Sequence, residues 1–483
     1  MNRNRRVKIV ATLGPASNTQ NKIKQLAIAG ADVFRINMSH ASHDLMRTTV
    51  QAIRNVEKEL DFPIGIMVDI QGPKHRLGTF ENGEIDIAPG DTITLDSDPT
   101  PGNNERIFLP HPEILKAMKP GHRLLVNDGK VNLKVIETGN GWAKTEVMAG
   151  TWLADKKGVN IPDSELTSGV LTDKDRADLK AALKEEIDWV ALSFIQRPED
   201  LDEPRKICQG KVGILAKIEK PQAVEKLDEI IEVADAIMVA RGDLGVEMPL
   251  ELVPSIQKKM IRKCRAAGTP VVVATQMLES MIDSPVPTRA EVSDVANAVY
   301  EGADAVMLSA ESAAGDYPFE SVSTMNSIAE SIEKDKGYLN TIASQRPEAD
   351  ATGADAISFA AAEIADTLDL AAIICFTASG STGSRAARVR PAKPILALSP
   401  VPETARRLAL TWGMKCVITP DAKDLDDMVD KACRIAYREG MAKAGDKVII
   451  TVGVPLRTPG STNMLRIAHI DDDGKGSVHQ IGS

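Results

Sequence analysis

Residues 213–247, GILAKIEKPQAVEKLDEIIEVADAIMVARGDLGVE, decide how the chain folds. Two short apolar runs, Ile214 to Ala216 and Ala236 to Ala240, stand about one βα repeat apart, and each ends abruptly in charge. Lys217 and Glu219 follow the first; Arg241 and Asp243 follow the second. The pattern predicts two parallel strands that deliver charged groups to one rim. In parallel sheets the carboxyl ends of the strands face the ligand, so a cation and two carboxylates there point to metal-assisted chemistry on an anion. A buried Lys/Glu/Asp salt-bridge cluster that merely fixes two neighbouring strands is the structural alternative.

Outward from this stretch, similar runs recur at Val7–Leu13, Val33–Ile36, Ile64–Val68, Trp189–Phe194, Val271–Ala274 and Ala305–Leu308. With the first two that makes eight, most of them separated by room for one amphipathic helix and two loops, such as ELVPSIQKKMIRKCRAAG, closed by Gly268. Eight closed βα units make a TIM-type (β/α)8 barrel of the α/β class. The rhythm breaks between Ile70 and Trp189, where Gly/Pro/Asp-punctuated, period-two segments predict small antiparallel strands. Residues 72–168 are therefore expected to form an inserted β-barrel lid domain, with 1–71 and 169–345 as the barrel. After the Pro-bearing stretch Ala343 to Thr352, the runs AAIICFTA, PILALSP, KCVITP and KVIITVGVP alternate with helical sequence, so 346–483 is expected to be a C-terminal open α/β domain.

Composition narrows the function classes. The 483 residues exceed one core. A net charge of −10 and only 3% aromatic residues argue against a nucleic-acid partner or a base-stacking platform. Five scattered cysteines without CxxC spacing, and seven histidines without ligand spacing, argue against a disulfide framework or a zinc site. No apolar run approaches the ~18 residues a bilayer span needs, so a cytoplasmic location and no membrane partner are expected.

The other predicted strand ends add chemistry. Strand two ends in FRINMSH, placing Arg35, Asn37, Ser39 and His40 at the rim; strand three supplies Asp69, Lys74 and Arg76; strand seven offers Thr275. Singly, each reads as a helix cap or a solvated charge. Together, Arg35, Lys74, Arg76 and Lys217 outnumber Asp69, Glu219 and Asp243, which suits a polyanion with a divalent metal held by Glu219 and Asp243. Gly242 before Asp243 lets backbone N–H groups open a short helix toward a carboxylate. Neither a Walker A loop nor GxGxxG occurs, so nucleotide phosphates would be held by side chains and metal.

The motifs KIVATLGPAS, FRINMSH, KIEKPQA, MVARGDLGVE, ATQMLESM, PTRAEVSDVANAV and SAESAAGDYP resemble, in order, the strand-end motifs of the pyruvate kinases. The resemblance implies phosphoryl transfer from phosphoenolpyruvate to ADP, giving pyruvate and ATP, with Mg²⁺ (or Mn²⁺), usually in a homotetramer. It further implies that Lys217 stabilises the transferring phosphoryl group, that Glu219 and Asp243 ligate Mg²⁺, and that Arg35 holds the substrate phosphate. Gly242, Asp243 and Thr275 would cradle the carboxylate, with Thr275 on the proton path, while Asn37, His40, Arg76 and Lys157 would meet the nucleotide.

Departures from the family pattern carry information too. Lys74 stands where many members have Glu and bind K⁺ through positions matching Asn37, Ser39 and Asp69; with Ile70, Gln71 and Leu77 it resembles the potassium-independent subgroup. Activity without K⁺ is therefore expected. Asn127 replaces a common Asp, leaving Asp128 as the acidic residue before Gly129. In FTASGSTGSRAARVRP, residues Thr377, Ser379, Ser381, Thr382 and Ser384 form a candidate phosphate nest at a helix start, which an ordinary capped turn would also explain. The resemblance makes it an effector loop for a sugar phosphate or nucleoside monophosphate, closed by a later loop around Arg457. Two rival readings stay open: another Mg²⁺-dependent enolate enzyme on a barrel, and a metabolite sensor whose barrel is only scaffold.

Overall fold

The computed structural model describes residues 3–166, 169–456 and 462–477. All eight runs are strands of one closed parallel barrel: Lys8–Leu13, Val33–Asn37, Gly65–Ile70, Trp189–Leu192, Gly213–Ile218, Ala236–Ala240, Val271–Ala274 and Ala305–Leu308. Each is buried on both faces, against the barrel interior and against the outer helices, which is why each reads as an unbroken apolar run. Gly213 begins its strand without a side chain because the Trp189 ring lies over it; a Cβ would stand 2.5 Å from that ring. The predicted helix after strand six spans Val253–Ala267 and closes on Gly268 in the left-handed conformation.

The insertion leaves the barrel after strand three and forms a six-stranded and a two-stranded sheet around one apolar cluster. Its strands pair antiparallel except Thr92–Asp96 with Arg106–Phe108, which run parallel, as does the isolated bridge of Phe80 with Gly102. The connecting loop folds back on itself because Arg106 Nε donates to Asp96 at 2.9 Å and Nη1 donates to the Thr100 carbonyl at 3.0 Å. Asn127 and Asp128 both take positive φ, 54° and 55°, in the tight connection after Arg123–Val126. Asparagine and aspartate tolerate that conformation better than most residues.

The C-terminal sheet contains the four expected parallel strands, and beyond them an antiparallel strand, Thr462–Ile470, with a short partner, Gly476–Ser477. This unit closes the amino-terminal mouth of the barrel: Ala409 and Leu410 join the barrel's interior cluster, and Arg406 grips the buried Glu57 carboxylate at 2.8–3.0 Å. Arg390 meets Asp304 at 3.0 Å on the same face. Among the described residues no helix is long and apolar enough to cross a membrane.

Local capping sets one measurable term. Thr288 caps helix Arg289–Tyr300, its side chain accepting from Glu291 N at 3.2 Å while Glu291 accepts from Thr288 N at 2.7 Å. Thr288→Ala is expected to destabilise the fold by about 1 kcal/mol, read as a lowered urea midpoint at unchanged slope.

Candidate active site

The carboxyl ends of strands two to seven converge on one mouth, and a single ammonium lies at its centre. Lys217 Nζ stands 2.8 Å from Glu219 Oε1, 3.6 Å from Asp69 Oδ1 and 2.7 Å from Ser193 Oγ, to which it donates. Asp69, at the end of strand three, is also held by Arg35, whose Nε and Nη2 both reach Oδ2 at 2.7 Å. Arg35 Nη1 donates to Thr12 Oγ1 at 3.1 Å. Five strands thus fix two cations and two carboxylates with almost no access to water: Asp69 is 2% exposed and Glu219 1%.

Charge states follow from this enclosure. Burial works against the Lys217 charge, but Asp69 and then Glu219 outweigh it, so its pKa is raised and the ammonium stays protonated. Burial likewise works against the Asp69 anion, yet Lys217 and Arg35 hold it below the ordinary carboxylate range. Glu219 goes the other way: burial raises it, Asp243 raises it further, and Lys217 only partly compensates. Its Oε2 accepts from Phe194 N at 2.9 Å, whereas Oε1, although 2.8 Å from Lys217, lies outside hydrogen-bonding alignment and has no hydrogen-bond partner. A buried carboxylate that its neighbouring ammonium only partly compensates, with a second carboxylate close enough to raise its pKa, is a donor set that fits a hard divalent ion. Asp243 sits in the first turn of helix Arg241–Glu247, directly after strand six.

Thr275 follows strand seven with φ of +68°, and Gln276 follows with +54°. A β-branched residue in that region stores strain of about 1–3 kcal/mol and persists only where neighbours impose it. Here they do. Thr275 Oγ1 accepts from Gly242 N at 2.8 Å and donates to the Ala274 carbonyl at 2.6 Å, while Arg241 Nη2 donates to the Thr275 carbonyl at 2.7 Å.

Beside this mouth lies a pocket of about 480 Å³ lined by Arg35, Asn37 and His40 together with Pro15, Leu45 and Ala313. Ser39 is exposed at its edge, its N donating to Asn37 Oδ1 at 3.0 Å. Arg76 and Lys157 do not line it: Arg76 Nη1 donates to the Lys156 carbonyl at 2.9 Å, and the Lys157 ammonium lies over the Trp152 ring at 5.0 Å. Lys74 is exposed, passes Gly158 of the insertion, and makes no hydrogen bond or ion pair to Asn37, Ser39 or Asp69.

Sequence reasoning missed several partners. Ser193 is one, although its position just beyond a strand end was legible. Glu247 is another: 1% exposed, its Oε1 receives the Lys220 ammonium and the Asn160 amide, the latter at 2.6 Å. That carboxylate ties the insertion to the segments carrying Glu219 and Asp243.

In the C-terminal unit, Thr377 Oγ1 accepts from Gly380 N at 2.9 Å, Ser379 and Ser381 hydroxyls meet at 3.2 Å, and Thr382 and Thr462 hydroxyls meet at 2.8 Å. Helix Ser381–Val389 starts there. Ser379, Ser381 and Ser384 line a cavity of about 450 Å³ whose opposite wall is the barrel's amino-terminal face, including Trp189 and Gly213, with Arg205 and Arg407 also on its walls. Arg457 lies outside the described residues.

Comparisons with known proteins agree on one family. The family model "Pyruvate kinase, barrel domain" matches residues 4–322, and "Pyruvate kinase, alpha/beta domain" matches 355–468. A pyruvate kinase of Methylorubrum extorquens is 56% identical over 97% of this chain and 98% of its own length. One from Geobacillus stearothermophilus is 41% identical over 97% of this chain and 81% of its own. A crystal structure of a pyruvate kinase from Cryptosporidium parvum superposes with a TM-score of 0.92 at 34% identity, covering 96% of each chain.

Proposed function

This chain belongs to the pyruvate kinase family, and on that premise we propose how its own residues move a phosphoryl group from phosphoenolpyruvate to ADP. The enzyme is a phosphotransferase of glycolysis, and its products are pyruvate and ATP. The observation that carries the assignment of roles is the Lys217 ammonium held within 2.8 Å of Glu219 and 3.6 Å of Asp69 at the barrel mouth.

Phosphoryl transfer needs little covalent help, so positioning and charge neutralisation supply most of the acceleration. Lys217 faces the phosphoryl group as it moves, and Arg35, locked by Asp69 and Thr12, holds the substrate phosphate. Mg²⁺ (or Mn²⁺), held by Glu219 and Asp243, would neutralise charge on the transferring oxygens. Gly242, Asp243 and Thr275 receive the substrate carboxylate, and the Thr275 hydroxyl leads a proton to the enolate carbon. ADP occupies the pocket beside Arg35, Asn37 and His40, and Arg76 and Lys157, held off that pocket in this structure by the Lys156 carbonyl and Trp152, would swing to it from the lid.

The apportionment 1–71 with 169–345 (barrel), 72–168 (lid) and 346–483 (regulatory) belongs to the same reading, as do a cytoplasmic location and a homotetramer. The loop at Thr377, Ser379, Ser381, Thr382 and Ser384, with Arg457, takes a phosphorylated effector; the adjoining cavity with its two arginines supports this.

A coupled assay with phosphoenolpyruvate and ADP tests the whole assignment. Turnover is expected to need Mg²⁺ and to proceed with neither Na⁺ nor K⁺ present: the Lys74 ammonium, exposed and without contact to Asn37, Ser39 or Asp69 in this structure, would turn toward them in the working enzyme and serve in place of K⁺. Lys74→Glu is expected to create a K⁺ requirement. An absolute K⁺ requirement in the parent enzyme would refute the reading of Lys74, and absence of ADP-dependent pyruvate formation would refute the function.

A further inference from the structure

Where the insertion meets the barrel, His75, His111 and Glu113 point three ligand atoms at one another. His75 Nε2 stands 3.5 Å from Glu113 Oε1, His111 Nδ1 stands 3.4 Å from the same oxygen, and all three atoms lie within 4.8 Å. Zinc bonds of about 2.0–2.1 Å in a tetrahedron place neighbouring ligand atoms about 3.4 Å apart, so two of the three edges already have the span. The imidazoles meet edge-on, at 87° and 4.7 Å between centroids. We propose that His75, His111 and Glu113 form an inhibitory site for Zn²⁺, distinct from the Mg²⁺ position at the barrel mouth.

The loss of ring protons favours binding. Burial, then His111 and Lys220, push His75 down to about 3, and burial lowers His111 against the opposing pull of Glu113. Both rings are therefore neutral at pH 7, the form that ligates metal. The five cysteines offer no competing thiolate, since all are buried and burial raises each pKa.

Inhibition follows from the tautomer. His111 Nε2 accepts the Arg76 backbone N–H at 3.0 Å, so the neutral ring carries its proton on Nδ1, facing Glu113. To ligate zinc through Nδ1, the ring must move that proton to Nε2, where it confronts the Arg76 N–H. The hydrogen bond breaks, and Arg76 keeps only its bridge to Gly158 and its side-chain bond to the Lys156 carbonyl, a looser hold on its position. Zinc thus costs the enzyme a residue assigned above to nucleotide binding. The inhibitory consequence rests on that assignment; the metal site does not.

Titrating Zn²⁺ into Mg²⁺-saturated enzyme by calorimetry, with the activity of the same samples measured in parallel, tests both parts. One tight equivalent is expected, with KM for ADP raised several-fold and KM for phosphoenolpyruvate little changed. His75→Gln and Glu113→Gln are expected to weaken this event at least about 10- to 100-fold while leaving zinc-free activity intact. Glu113 is partly exposed, so its variant tests the site without burdening the core. Unchanged zinc affinity in both variants, or zinc binding only in competition with Mg²⁺, would overturn the site. Zinc binding that the variants abolish but that leaves KM for ADP unmoved would confirm the site and overturn the role given to Arg76.

Discussion

Lys217→Met is expected to lower kcat by at least ~10²- to 10³-fold, about 2.7–4 kcal/mol of transition-state stabilisation, with a much smaller change in KM for phosphoenolpyruvate. An ammonium enclosed by Asp69 and Glu219 stays charged, is already oriented, and needs no reorganisation as charge shifts during transfer. Methionine keeps the length and removes the charge. The variant also leaves Asp69 with Arg35 alone and Glu219 with none of its compensating cation. Steady-state kinetics at saturating Mg²⁺ give the answer: a rise confined to KM would mean that Lys217 binds substrate and transition state alike. An unchanged kcat would remove it from the reaction.

The second large effect concerns stability. Asp32, 1% exposed at the start of strand two, accepts from Ile9 N at 2.9 Å and meets Arg3 at 3.1 Å and Arg5 at 2.8 Å. Asp32→Ala strands the fully buried Arg5 head and is expected to cost roughly 3–5 kcal/mol in urea unfolding at pH 7. Burial would raise the Asp32 pKa, but Arg5, Arg3 and Lys8 outweigh it and hold it at about 2, below the ordinary 3.8. A carboxylate depressed in the folded state stabilises fully above its unfolded value and progressively less as pH falls toward the folded one. The gap between parent and variant should therefore be constant from pH 5 to 7 and shrink by about 2 kcal/mol between pH 4 and 2. A gap that widened on acidification would contradict the depressed value.

The barrel was legible because its strands are buried on both faces and end in charge, so each announces both its core and its rim. Lys217, Glu219, Asp243 and Thr275 could be placed at one mouth for that reason. What escaped depends on apposition between distant segments: Ser193 under Lys217, Glu247 between Lys220 and Asn160, and the histidine pair, separated by 35 residues and so invisible to a search for local ligand spacing. The strand Thr462–Ile470 was missed because its residues are only partly covered and Arg466 and His469 interrupt the apolar pattern. Arg76 and Lys157 could be placed on the lid from sequence, but not against the pocket, because the lid's own carbonyls and Trp152 engage them.

The cavity beneath the barrel touches Trp189 and Gly213, the first residues of strands four and five. Ser193 and Lys217 cap the far ends of those same two strands, four residues on, about 13 Å at roughly 3.3 Å per residue. The floor and the catalytic mouth are thus opposite tips of two short, stiff rods. A guest in that cavity therefore rests on the same two strands that carry Ser193 and Lys217 at their other ends.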